Sequence, residues 1–122
     1  MKKNKELTRA ELQIMNILWD LKKATVNEVL ERFPEPKPAY NTVLTFLRIL
    51  KEKGFVTSES TGKQHRFYPA ILRGEYTRNY MRNVKDNLFR GSAKDLVNFF
   101  VKEENLTATE VEELIELLKK NS

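Results

Sequence analysis

In "NTVLTFLRIL", Asn41 to Leu50, hydrogen-bonding side chains occupy positions where a helix gains most from Glu, Lys or Ala. Val43, Leu47 and Leu50 repeat at helical spacing, with Phe46 beside them, and form an apolar face. The opposite side carries Asn41, Thr42 and Thr45, all poorer helix formers, and Leu44, which reads as exposed. These types suit the edges of duplex bases. Asn41 can pair bidentately with adenine. Thr42 and Thr45 can bond a base edge or a phosphate, and Leu44 can pack on a thymine methyl. The bland alternative is that the threonines bond back to their own helix while Asn41 merely decorates its first turn.

A helix that reads bases needs cations and donors nearby to hold the phosphates. Arg48 lies one turn beyond Thr45, Lys37 precedes the helix, and Lys63 and Arg66 follow it in the chain. Tyr40 and Gln64 can add neutral hydrogen bonds to phosphate or sugar. His65, the only histidine, reads as a polar surface residue rather than a ligand.

The elements that would position these groups are legible from their punctuation. Thr8 and Glu11 form a capping box with a Leu7–Leu12 staple, and Thr25 and Glu28 repeat the device before a short second helix. Pro34, Pro36 and Pro38 end that helix, and Pro38 is placed to open a third. The third helix runs to Lys53 and stops at Gly54, a natural left-handed terminator. The period then changes to two: "FVTSES" and "HRFYP" read as strands joined by a turn at Gly62, Lys63 and Gln64, in a register the sequence leaves open. Helix, helix, helix and hairpin, in that order, match a winged helix-turn-helix in which the third helix reads DNA and the hairpin is the wing.

From residue 71 helical periodicity returns. Leu72, Tyr76, Tyr80, Val84 and Leu88 recur every four residues, Ser92 and Asp95 start a helix carrying Phe99 and Phe100, and Thr107 with Glu110 opens one carrying Val111, Leu114 and Leu118. Three amphipathic helices in about 50 residues make a thin core. A second copy of the same segment is the simplest cover, which makes these residues a dimer interface related by a two-fold axis. The expected architecture is mainly α with a small β-hairpin wing: a winged helix-turn-helix over residues 1–70 and a C-terminal helical dimerisation arm over residues 71–122.

Charge divides the same way. Residues 1–70 hold 13 Lys+Arg against 8 Asp+Glu, whereas residues 71–122 hold 9 of each, so the whole net charge of +5 lies in the first part. A basic front suggests a polyanionic partner. With no Cys there is neither a disulfide framework nor a thiolate metal site, and one His with scattered carboxylates leaves no catalytic or metal constellation. No cofactor is expected. No apolar run approaches the ~20 residues of a membrane span, and no signal peptide opens the chain, which points to a cytoplasmic protein without membrane insertion.

The segments "LTRAELQIMNILW", "ATVNEV", "NTVLTFLRILKEKGFV", "HRFYP" and "LVNFFVKEENLTATEVEELIELL" together resemble the penicillinase repressor family, the BlaI- and MecI-type repressors of β-lactam resistance. The resemblance implies a homodimer bound to an inverted-repeat, double-stranded DNA operator. It also implies a membrane-bound metalloprotease sensor that cleaves the repressor within its arm at an Asn–Phe bond. Aligned without gaps from "EVEEL", that bond falls at Phe99–Phe100, with Asn98–Phe99 one residue earlier; the cleavage region is therefore Asn98, Phe99 and Phe100. Ile49 stands where the family usually has Arg, and Arg48 precedes it. Copper-responsive relatives carry a cysteine-rich C-terminus, which this chain lacks. Two other readings fit the same fold: a winged helix that binds protein alone, and a regulator gated by a small ligand in a pocket lined by Tyr76, Tyr80, Phe89, Phe99 and Phe100.

Overall fold

Local hydrogen bonding sets the first two helices. The structure is a computed structural model that describes residues 6–121. α1 (Arg9–Leu21) starts at Thr8, whose Oγ1 accepts from the Glu11 amide at 3.2 Å while the Thr8 amide donates to Glu11 Oε1 at 2.9 Å. α2 (Val26–Glu31) starts identically at Thr25 and Glu28. Each box satisfies donors that a helix N-terminus otherwise leaves open, a stabilisation of about 1 kcal/mol. α3 (Tyr40–Lys53) begins two residues later than Pro38, because Ala39 stays extended as the N-cap, and it ends at Gly54 with φ 90°. That left-handed turn is open to Gly without the strain a Cβ imposes.

The wing is β1 (Val56–Thr61) paired antiparallel with β2 (Gln64–Pro69). Its register runs from Val56 opposite Pro69 to Thr61 opposite Gln64, so the tip is the two residues Gly62 and Lys63, and Gln64 already belongs to β2. Gly62 has φ 63°, and Lys63 is not left-handed. A positive φ at the first central position alone is the type II′ pattern, whose twist suits a hairpin. Ala24, between α1 and α2, exchanges backbone hydrogen bonds with Phe67 at 2.8 and 2.9 Å and so lends the hairpin a one-residue third strand.

Two compact units divide the chain after Arg78. The first has its own core: Ile14, Met15 and Leu18 from α1, Val29 from α2, Val43, Leu47 and Leu50 from α3, and Phe55, Val56 and Phe67 from the hairpin. Its end lies beyond residue 70, where the sequence suggested the boundary, because the segment after β2 stays on α1. Trp19 Nε1 donates to the Ile71 carbonyl at 2.9 Å, and Arg73 reaches Asp20 at 3.1 Å. Tyr76 is also held here, its ring centroid 6.0 Å from those of both Trp19 and Phe55. Its spacing had grouped it with the dimer interface, but a half-buried aromatic against two others belongs to the winged-helix core.

Asn79 to Ser122 form the second unit. It contains most of α4 (Arg73–Leu88), then α5 (Ala93–Glu103), capped by Ser92, and α6 (Ala108–Lys120), capped by a Thr107–Glu110 box. None of these three helices holds a buried residue. Phe89 and Phe99 meet edge to face at 5.6 Å, yet Phe99 and Phe100 remain 46% and 47% exposed.

One buried carboxylate links the ends of two helices. Glu11 is 3% exposed, and Lys53, the last residue of α3, donates to both its oxygens at 2.9 Å. Burial pushes the Glu11 pKa up, but the Thr8 backbone hydrogen bond and the Lys53 ammonium outweigh it and hold the carboxyl below its ordinary 4.5. A group depressed in the fold contributes stability above its unfolded pKa and loses it as pH falls through the folded value. Glu11→Gln is therefore expected to destabilise the protein by about 1–2 kcal/mol at pH 7, lowering Tm by about 4–8 °C per kcal/mol. The deficit should shrink below pH ~4. Thermal melts of both proteins from pH 7 to 3 check this; a deficit that is the same at every pH would refute the linkage.

Candidate nucleic-acid interface

α3 has three distinct sides. At about 100° per residue, Val43, Leu47 and Leu50 point to the core, and Asn41 and Thr45 point directly away from it. Both of the latter are exposed. Tyr40, Leu44, Arg48 and Lys51 fall on the flank that faces the wing. Thr42 falls on the other flank, where it lines a separate groove with Gln13 and Phe46 from about the level of the proline loop. Base-sized groups approaching α3 along its outermost line would therefore meet Asn41 and Thr45 first, and Thr42 only from one side. Leu44, read from sequence as exposed, is half-buried against the margin of the core, so part of its apolar surface is already in use.

Between α3 and the wing lies a cleft of about 530 Å³. Tyr40, Leu44, Arg48 and Lys51 form one wall, Lys63, Gln64 and His65 the other, and Thr25 to Asn27 at the start of α2 close an end. The structure thus brings together five of the ten residues singled out for base and backbone contacts: Tyr40, Leu44, Arg48, Lys63 and Gln64. Among the described residues, three cations line the cleft and no carboxylate does.

Two expected phosphate ligands stand elsewhere. Lys37 Nζ donates to the carbonyls of Phe33 at 2.7 Å, Glu31 at 3.0 Å and Leu30 at 3.4 Å. These carbonyls lie around the negative end of α2, the Leu30 oxygen also accepting from the Phe33 amide at 3.1 Å, and the ammonium binds them in place of a phosphate. Arg66 lies on the face of β2 opposite His65 and Phe67, because strand side chains alternate. Its cross-strand neighbour is Glu59, itself paired with Lys23 at 2.9 Å. Arg66 therefore borders the wing and does not enter the cleft.

Lys51 is a cation that sequence reasoning passed over as a DNA contact. Its Nζ donates to Ser58 Oγ at 2.8 Å, which holds it over the cleft side of the wing. The signal was available: Lys51 follows Leu44 and Arg48 at the next helical repeats.

Among the described residues, no group of three or more His, Asp or Glu could hold a metal, and no helix is long and apolar enough to cross a membrane. The remaining candidates, Leu72 apart, lie in the second unit. Val84 and Val111 are half-buried there, and Tyr80, Leu88, Phe99, Phe100, Leu114 and Leu118 are exposed. Leu72, 74% exposed, precedes α4 in the first unit. Asn98, Phe99 and Phe100 sit in the middle of α5.

The chain is similar to proteins of known name over nearly its whole length. It is 29% identical over 119 residues to the methicillin resistance regulatory protein MecI of Staphylococcus aureus strain N315, covering 97% of both chains. It is 24% identical over 122 residues to the penicillinase repressor of Bacillus licheniformis, covering 99% of this chain and 95% of that one. Among solved structures, oxidized MarR from E. coli superposes with a TM-score of 0.50 at 22% identity, over 94% of this chain and 75% of that chain, a likeness of fold. The model of the penicillinase repressor family matches residues 7–120. Winged helix, cationic cleft and family match agree: this chain belongs to the penicillinase repressor family and is a DNA-binding transcriptional repressor, not an enzyme.

Proposed function

We propose that this repressor binds an inverted-repeat DNA operator as a homodimer and is released from it by proteolysis within the C-terminal arm. The observation that carries the reading is the outermost line of α3, where Asn41 and Thr45 stand exposed beside a cleft lined by Arg48, Lys51 and Lys63. Asn41 and Thr45 read base edges in the major groove, with Thr42 and Leu44 contributing from the two flanks. Arg48, Lys51 and Lys63 hold phosphates, Tyr40 and Gln64 add neutral hydrogen bonds, and Lys37 and Arg66 lie at the margin of the contact.

The dimer follows from the second unit. An apolar set that includes Tyr80, Phe99, Phe100, Leu114 and Leu118, on helices with no buried residue, is completed by the same set on a second copy. Similarity to a methicillin resistance regulatory protein and a penicillinase repressor extends the reading to control of β-lactam resistance genes. A membrane-bound metalloprotease sensor is the partner proposed to cut near Asn98, Phe99 and Phe100. Those residues lie inside α5, so cleavage requires that helix to open locally first.

Selection of bound duplexes from a random pool identifies the operator, and Asn41→Ala then tests the reading. The variant is expected to lose about 1–3 kcal/mol of discrimination between that operator and a scrambled duplex. Equal discrimination by variant and parent would remove Asn41 from the reading set.

A further inference from the structure

We propose that the groove between α1, α3 and the proline loop binds a small aromatic amine, at a site separate from the cleft beside the wing. The site stands apart from the DNA reading, and only its effect on DNA rests on that reading. The groove measures about 390 Å³, room enough for a small molecule. Ile14 and Val43, each 1% exposed, form its floor. Phe33 and Phe46 are half-buried beside it and leave part of each ring uncovered. Pro34 and Pro36 add apolar rings and bring no backbone N–H. A flat apolar group gains most from such walls, through area removed from water and contacts with the rings.

Exposed polar groups select the other end of the ligand. The Gln13 amide, the Thr42 hydroxyl and the Glu35 carboxylate line the groove, and all three residues are exposed. Among the described residues, none of these side chains makes a hydrogen bond or an ion pair. Glu35 is the one charged residue among the described residues of the lining. Lys37, two positions on, is turned to the carbonyls of Leu30, Glu31 and Phe33. An ammonium group can therefore donate to the Glu35 carboxylate and, through its other hydrogens, to Gln13 Oε1 or Thr42 Oγ1. An anion would meet Glu35 as a like charge. The wing cleft, lined by Arg48, Lys51 and Lys63, has the opposite preference. Because Thr42 belongs both to this groove and to the proposed base-reading turns of α3, an amine seated beside it competes with duplex DNA.

Titration of the whole chain with 1-naphthylmethylamine, followed through backbone amide NMR shifts, tests the site. Saturable shifts centred on Gln13, Phe33 and Phe46 are expected, with a Kd of about 0.1–1 mM, the range open to about a dozen non-hydrogen atoms. The neutral alcohol 1-naphthylmethanol should bind about two- to fivefold more weakly, and Glu35→Gln should abolish that difference. Gln13→Phe, an exposed change that sets a ring across the groove, should lose the amine while melting as the parent does. Absent or displaced shifts, equal binding of amine and alcohol by the parent, or a Gln13→Phe variant that still binds would overturn the site. Amine at about ten times its Kd should then weaken the parent's hold on a random-sequence duplex about tenfold and leave Gln13→Phe unaffected. An equal loss in both proteins places the effect on the duplex and overturns the competition. A parent that binds no duplex without amine overturns the DNA reading and the competition, while the shifts still decide the site.

Discussion

Raising monovalent salt from 50 to 200 mM is expected to weaken the repressor's hold on duplex DNA by about 10³–10⁵. The cleft supplies Arg48, Lys51 and Lys63 in each protomer, with Tyr40 and Gln64 as neutral donors, so the proposed dimer reaches about 6–10 phosphates. Each contact releases condensed counterions, and log K then falls with log salt at a slope near −0.9 per phosphate. The charge distribution supports the same expectation, because the net +5 lies wholly in residues 1–70. Lys63→Ala, at the wing tip and away from the core, should make the slope shallower by about one contact per protomer while leaving sequence preference nearly unchanged. Affinity measured by fluorescence anisotropy across salt concentrations checks both statements. A nearly flat salt dependence would mean that the cleft does not hold phosphates.

Replacing Leu114 with Asp is expected to convert the proposed dimer into monomers and to lower operator affinity by about 10²–10⁴, the avidity lost when two half-sites are no longer bound by one linked molecule. Leu114 lies on α6 and is 38% exposed in a single chain, among Ile115, Leu117 and Leu118, which are 45%, 55% and 64% exposed. A carboxylate placed in an apolar interface loses its hydration without gaining a partner. The winged-helix unit has a separate core and should keep its fold and its non-specific attraction to DNA. Sedimentation velocity and a titration with operator read the two effects independently. Dimers that sediment unchanged in the variant would place the interface elsewhere.

What was legible in the sequence was local. The boxes at Thr8–Glu11, Thr25–Glu28 and Thr107–Glu110 join residues three apart, so residue type and spacing suffice to identify them. Gly54 needed only its own freedom at φ 90°. The exposed pair Asn41 and Thr45 was likewise visible as a lapse in helix propensity on one side of a periodic segment. Leu44 was half legible: its flank follows from the period, but its burial depends on what packs beside it.

The wing illustrates the next level. Two alternating segments around "TGKQ" announced a hairpin, and only the paired strands put Gly62 and Lys63 alone at its tip. That one choice of register sends His65 and Phe67 to the cleft side and Arg66 to the other, because a strand's side chains alternate. A shift by one residue would have exchanged them.

Residue types, their spacing and the uneven charge were enough to determine the capping boxes, the order of elements, an exposed polar face on the third helix and the apolar spacing of the last three helices. Tertiary structure alone decided that Lys37 serves the end of α2, that Tyr76 packs on Trp19 and Phe55, and that Lys51 and His65 line one cleft. The physical reason is range. Capping and periodicity act within a turn or two of the chain, whereas a side chain's burial and its partners depend on segments brought close only when the core forms.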